Sequence, residues 1–264
     1  MTTLFNIAQI TDCHLFADSK NLHFGANVYQ NLMAVLADIK QHQKVDLIVF
    51  TGDLTQDHSD GSYQRFVEAI KTCQIVTPVY YLPGNHDELA KLDEHLRGFP
   101  FNSDKVIESK YWQIILLNSK SAAPAGQLSA QSLTWLQQTV DVNKQQLLMM
   151  HHHPVDVGYF IDRHGLINQD EFWQTLQTMP SIKAIACGHV HQALNLLPAD
   201  SKRSLPVYTC PATSIQFNAE VDTVSNNGQG PGYRVFTLGL TGQLSTETIF
   251  LQDEKLKLKV KING

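Results

Sequence analysis

Cysteine is scarce: four in 264 residues, Cys13, Cys73, Cys187 and Cys210, at irregular spacings and with no C-x-x-C. That excludes a disulfide framework and a zinc knuckle and leaves the four as small buried apolar residues. Positive charge is not in excess either, because 20 Lys and Arg stand against 25 Asp and Glu for a net charge of -5. A broad basic face for tracking a nucleic-acid backbone is therefore excluded, and no nucleic-acid partner is expected. No stretch approaches the ~18 consecutive apolar residues of a membrane span, and Met1 to Gln9 lacks the basic-then-apolar start of a secretory signal. A cytoplasmic protein without a membrane partner is the expectation.

Histidine, by contrast, is plentiful, with twelve. At 43% hydrophobic and 17% charged, the chain suits one large α/β domain over residues 1–264. Apolar β-type runs alternate with helix-period segments, the pattern of βα units feeding a helix-covered sheet. Leu4 to Ile10 predicts the first strand, Val28 to Ile39 a helix, and Asp46 to Thr51 a second strand. Ser59-Asp60 opens a helix carrying Tyr63, Phe66, Val67 and Ile70, and Val79 to Leu82 is a strand stopped by Pro83-Gly84. Tyr111 to Asn118, Gln146 to Met150 and Ile182 to Cys187 follow as strands, with helices from Ser129 and around Glu171 to Met179 between them. The chain ends rich in β, with strands expected over 193–197, 205–209, 233–240 and 245–251. The alternating tail Lys255 to Lys261 reads as a lysine-guarded edge strand. Two sheets in one domain is the preferred arrangement.

Five short clusters each fall just after an expected strand: Asp12-Cys13-His14, Gly52-Asp53, Gly84-Asn85-His86-Asp87, His151-His152-His153-Pro154 and Gly188-His189-Val190-His191. Ligands of open α/β folds gather at the carboxyl ends of strands, so elements distant in sequence can meet in one crevice. Carboxylates, imidazoles and a neutral amide oxygen brought together there make a two-metal site the economical outcome, and the mixed O/N donors suit Fe, Mn, Zn or Co. Asp-x-His alone is an ordinary polar loop. Gly-Asn-His-Asp is not, because at roughly 5% usage per residue type it arises by chance in about one chain of this length in 600.

In that order the motifs D-x-H, G-D, G-N-H-D, a later histidine and G-H-x-H resemble the calcineurin-like metallophosphoesterases. More narrowly, "QITDCHLF", "TGDLTQD", "LPGNHD", "HHHPVDVG", "DRHGLIN", "CGHVHQ", "PATSIQF" and "PGYRVF" resemble the bacterial class III cyclic nucleotide phosphodiesterases over nearly the whole chain. The resemblance implies a four-layer αββα sandwich of two mixed sheets flanked by helices. It implies two metal ions, Fe or Mn foremost, one held by Asp12, His14, Asp53 and His191 and the other by Asp53, Asn85, His152 and His189, with Asp53 bridging. His152 is chosen from the histidine run as the one two places before Pro154, which leaves His151 and His153 flanking or behind the ligands. His86 matches the family's catalytic, non-ligand histidine, with Asp87 orienting it. The family includes dimers, so a homodimer is a further expectation. Asn118 stands where Asp is usual and Tyr233 where Trp is usual, which touches substrate detail and not metal binding.

The reaction expected is hydrolysis of 3′,5′-cyclic AMP to 5′-AMP by a metal-activated water, with His86 protonating the departing oxygen. The rival expectation is a broader phosphodiesterase acting on 2′,3′-cyclic nucleotides or glycerophosphodiesters; a non-catalytic scaffold is disfavoured because every expected position is filled. For base and sugar, the candidates are His164, Asn168, Phe217 and Arg234. Each also has an ordinary reading, as polar loop, packed aromatic or surface ion pair.

Overall fold

Side chains of the first strand, β1 (Phe5–Ile10), alternate between two apolar layers: Ile7 faces one and Ala8 and Ile10 the other, all fully buried. A strand buried on both faces must be covered on both, and this requirement sets the architecture. The computed structural model describes residues 4–198 and 205–252; the tail Lys255 to Lys261 lies outside the described residues. After β1 come α1 (Val28–His42), β2 (Leu47–Phe50), α2 (Asp60–Thr72), β3 (Val79–Tyr81), α3 (Leu89–His95) and β4 (Phe101–Asn102). Then follow β5 (Val106–Glu108), β6 (Trp112–Leu117), α4 (Ala130–Thr139), β7 (Gln145–Met150), a 3-10 helix (Phe160–His164) and α5 (Gln169–Leu176). Strands β8 (Ile182–Cys187), β9 (Asn195–Leu196), β10 (Val207–Thr209), β11 (Gly232–Leu238) and β12 (Leu244–Phe250) complete the described elements.

Two six-stranded mixed sheets result, in the orders β12-β11-β1-β2-β3-β4 and β5-β6-β7-β8-β10-β9. In the first, β1 to β4 run parallel, β11 lies antiparallel to β1, and β12 lies antiparallel to β11; in the second, β6, β7, β8 and β10 are parallel. Ile7, Val49 and Phe236 of the first sheet pack against Ile114, Leu147 and Ala184 of the second. On the outer faces, α1 and α2 bury Leu32, Val35, Tyr63 and Phe66 against Ile10 and Phe50, while α4 and α5 bury Leu136 and Phe172 against Leu148 and Ile185. These four layers are the αββα sandwich.

Three of the helices, α1, α2 and α4, start at side-chain caps. The Asn27 carboxamide accepts from the Gln30 amide, Ser59 from Ser62 and Ser129 from Ser132, each satisfying an amide the first turn leaves open. The parallel strands β1, β2, β3, β7 and β8 all deliver their carboxyl ends to the same edge of the sandwich, where the five clusters emerge. The structure adds α3, β4 and β5, which are too short to give a periodic signal. Replacing Leu147, fully buried between the sheets, by Ala is expected to lower unfolding free energy by about 2–5 kcal/mol in urea titration, as a cavity in a layer clamped from both sides cannot collapse.

Candidate metal centre

At this edge the backbone is bent where the chemistry is. Asp12, His14, Asp53, His189 and His191 all adopt left-handed conformations, with φ of 54°, 46°, 57°, 66° and 52°. For a residue with a side chain this costs on the order of 1–3 kcal/mol, and it turns five side chains out of their strands' exits toward one another. Gly52 and Gly84 allow two of these loops to touch. Gly52 has φ 99°, and a Cβ there would sit 2.3 Å from the Gly84 amide; one on Gly84 would fall 2.1 Å from Asp53 Oδ1.

Two groups of donor atoms converge. In the first, His14 Nδ1 meets Gln56 Oε1 at 2.9 Å, and His191 Nδ1 donates to the Ile215 carbonyl at 2.8 Å. With those protons placed, the two Nε2 lone pairs face each other at 3.1 Å. Asp12 Oδ2 accepts from Thr11 Oγ1 and the His189 amide, while its Oδ1 is buried without a hydrogen bond 3.3 Å from His191 Nε2. In the second group, His151 Nδ1 donates to the Thr51 carbonyl at 2.8 Å. Its Nε2 then lies 3.1 Å from His189 Nδ1, 3.2 Å from Asn85 Oδ1 and 3.4 Å from Asp53 Oδ2. That same Asp53 oxygen is 3.8 Å from His14 Nε2 in the first group, so one carboxylate oxygen faces both.

Lone pairs brought to 3.1 Å repel unless a proton or a cation lies between them, and a buried carboxylate oxygen without a partner is costly. Burial holds His14 and His189 well below the usual imidazole pKa, so both rings are neutral at pH 7 and offer a lone pair. Burial also pulls at His151, but the Asp53 charge and hydrogen bond outweigh it and raise its pKa to about 9. In the chain alone, a proton on His151 therefore neutralises Asp53, as a cation would. Asp12, His14 and His191 lie within 4.8 Å of one another by ligand atom, as do Asp12, Asp53 and His151, and His151, His152 and His189. The residues present fit metal ions.

The histidine run behaves differently from the count back from Pro154. His152 has both ring nitrogens engaged away from Asp53: Nδ1 with Ser119 Oγ at 2.8 Å and Nε2 with the Pro124 carbonyl at 3.1 Å. His151 holds the position facing Asp53 because β7 ends at Met150 and the next side chain falls on the cluster's side of the sheet. His152 still lies within 4.8 Å of His151 and His189 by ligand atom, but it is His151, the first residue past the strand end, that faces Asp53. His153 stacks on His189 at 5.7 Å and bonds Asp162.

His86 sits beside the cluster, its amide donating to Asp53 Oδ1 at 2.9 Å and its Nδ1 buried without a partner. Its ring lies edge-on to His14 at 5.0 Å and parallel to His58 at 5.8 Å; His23 stacks on His14 at 5.2 Å. Sequence reading passes over His58 and His23, since neither belongs to a spaced motif. Asp87 does not orient His86. Its carboxylate accepts the amides of Asp53, Leu54 and Gly84, fastening two of the loops together.

A cleft of about 740 Å³ opens over the cluster, walled by His58, His86, Lys120, Pro124, Phe160, His164, Phe217 and Val224, among others. His164 and Phe217 line it. Phe217 offers less of its ring to a ligand than expected, because one face stacks on His191 at 3.8 Å and Phe160 packs beside it at 5.2 Å. Asn168 and Arg234 do not line it. Asn168 ties its amide to both backbone groups of Leu128. Arg234 is 2% exposed and donates to the Thr209 and Leu194 carbonyls and to Thr246 Oγ1, a clamp between the sheets that is neither a substrate contact nor a surface ion pair. Of the two departures, Asn118 caps its own loop at the Lys120 amide and Tyr233 donates to buried Asp38, both off the cleft.

A family profile, calcineurin-like phosphoesterase, matches residues 5–193, which span both donor groups and His86, and the chain belongs to that family of metallophosphoesterase hydrolases. A probable cyclic nucleotide phosphodiesterase of Colwellia psychrerythraea is 51% identical over 92% of this chain and 94% of its own length. The 3′,5′-cyclic adenosine monophosphate phosphodiesterase CpdA of Escherichia coli K12 is 37% identical over 95% and 91%. Among solved structures, a dimetal phosphatase from Danio rerio superimposes with a TM-score of 0.62 over 94% of this chain and 99% of that one, at 13% identity, a likeness of fold. No helix among the described residues is long and apolar enough to cross a membrane.

Two predictions follow from this geometry. Elemental analysis should find His151→Ala depleted of metal and His152→Ala largely loaded; the reverse order would restore the count from Pro154. Arg234→Met should destabilise the fold by about 2–4 kcal/mol, since three acceptors, the buried Thr209 carbonyl among them, lose their donor, while KM stays within twofold of the parent.

Proposed function

We propose that this chain is a dinuclear-metal phosphodiesterase that hydrolyses 3′,5′-cyclic AMP to 5′-AMP. The observation that carries the reading is Asp53 Oδ2, turned toward two separate sets of imidazole nitrogens 3.4 and 3.8 Å away, with the His86 amide tethered to the other oxygen of the same carboxylate. The names of relatives that align with more than nine-tenths of the chain support the substrate. Asp12, His14, Asp53 and His191 would hold one ion, and Asp53, Asn85, His151 and His189 the other. When bound, the ions supply Lewis-acid charge to the phosphoryl oxygens and acidity to the attacking water. The mixed oxygen and nitrogen donors suit iron or manganese, with zinc and cobalt as alternatives.

His86 is the residue placed to act on the departing oxygen. Burial lowers its pKa, with the Asp53 charge working against that effect. A phosphodiester anion seated beside the ring raises the pKa again, so the imidazole can hold a proton in the complex and give it to the O3′ that leaves. His58 lies parallel to the ring, and the hydrogen bond that the His86 amide donates to Asp53 Oδ1 fixes its backbone. Phe160, Ile161 and Val224 give the cleft wall an apolar stretch, suited to a nucleobase.

Two measurements test the assignment. The kcat/KM for 3′,5′-cyclic AMP should exceed that for 2′,3′-cyclic AMP and for a glycerophosphodiester; no advantage would replace the reading with a broad phosphodiesterase. His86→Ala should retain its metal content while kcat falls by roughly 10²–10⁴-fold, and near-parental turnover would remove His86 from the reaction.

A further inference from the structure

The loop leaving β6 contributes Ser119 to His152, and the next residue, Lys120, extends along the cleft wall to the other side of the site. Its Nζ donates to the Asn85 carbonyl at 2.7 Å, beside a proposed metal ligand and one residue from His86. An ammonium carries three N–H donors, so two are left for the cleft this side chain lines. Lys120 and Arg163 are the two lysine or arginine side chains in that lining. Arg163 is already committed to the Asp222 carboxylate, at 2.8 Å. Lys120 has no carboxylate within 4.0 Å among the described residues, and it is half-buried, so its charge is only partly screened.

A cation without an anion, at the phosphoryl end of a cleft in a chain of net charge -5, is a binding group awaiting its ligand. We propose that Lys120 contacts the phosphoryl oxygens and grips the phosphomonoester product more firmly than the phosphodiester substrate. The selectivity follows from charge. A diester is a monoanion, whereas a monoester, with its second pKa near 6, is largely a dianion at pH 7. At equal distance the same ammonium attracts the dianion about twice as strongly. Lys120 thus weights the site toward product and slows its release. This rests on the phosphodiesterase reading but not on cyclic AMP being the substrate.

The experiment uses metal-loaded parent protein, Lys120→Met, which keeps the stem and removes the charge, and Lys120→Arg, which keeps the charge. Calorimetric titration with inorganic phosphate and with 5′-AMP is set beside KM for cyclic AMP and for bis(4-nitrophenyl) phosphate, with metal content by elemental analysis. Lys120→Met should bind phosphate and 5′-AMP about tenfold more weakly, the size expected for one charge-assisted hydrogen bond. KM for either diester should rise by less than that factor, metal content should hold, and Lys120→Arg should recover most of the loss. Unchanged phosphate affinity in Lys120→Met would overturn the proposal. So would metal loss in step with the lost affinity, because Lys120 would then only brace the Asn85 loop, or an equal penalty for diester and monoester. If parent protein fails to turn over cyclic AMP while phosphate binding still depends on Lys120, the substrate assignment falls and the Lys120 proposal is supported.

Discussion

Asp53 is the residue on which the site turns. Its amide is held by Asp87, one carboxylate oxygen is fixed by the His86 amide, and the other lies between His14 and His151. The exits of strands β1, β2, β3 and β7 therefore meet at one side chain, and one carboxylate oxygen faces both donor groups. Asp87 serves as the rivet. Burial and the neighbouring Asp53 charge raise its pKa to about 7, an electrostatic cost offset by the three amides it ties down.

Strain is concentrated where this meeting takes place. Five positive-φ residues with side chains at one edge of a sandwich are tolerated because the strands behind them are clamped between apolar layers on both faces. The same arrangement keeps His14 and His189 neutral. Walls that exclude water lower the pKa of His14 and His189, and their remaining ring protons or neighbours point the lone pairs inward. Hence a chain of net negative charge can present a site whose character is set by what the donors hold, and Lys120 and Arg163 are the fixed cations on its walls.

Much of this was legible in the sequence, and the reasons differ by element. Strands β1, β2, β6, β7 and β8 were readable because apolar runs buried on both faces have few other interpretations, and the helix starts at Ser59 and Ser129 because a hydroxyl there has one obvious use. The motif residues were readable because Gly-Asn-His-Asp and Gly-His-x-His combine residue types that folding alone has no reason to put together. Short elements such as α3 and β5 were not, since seven and three residues give no period. Arg234 and Asn168 carried the right chemistry for a substrate, but a polar side chain near a site does not declare whether its partner is a ligand or a buried carbonyl.

The sequence by itself determined the family, the order of the strand-exit motifs, and the kinds of donor they bring. Only the tertiary structure decided which histidine of the run His151-His152-His153 faces Asp53, that Asp87 fastens loops and does not steer His86, that Phe217 lies flat on His191, and that Lys120 reaches the Asn85 carbonyl. The physical reason is that residue type and spacing set what a side chain can bond, whereas its direction is set by the strand end, the backbone angle and the neighbours packed against it from elsewhere in the chain.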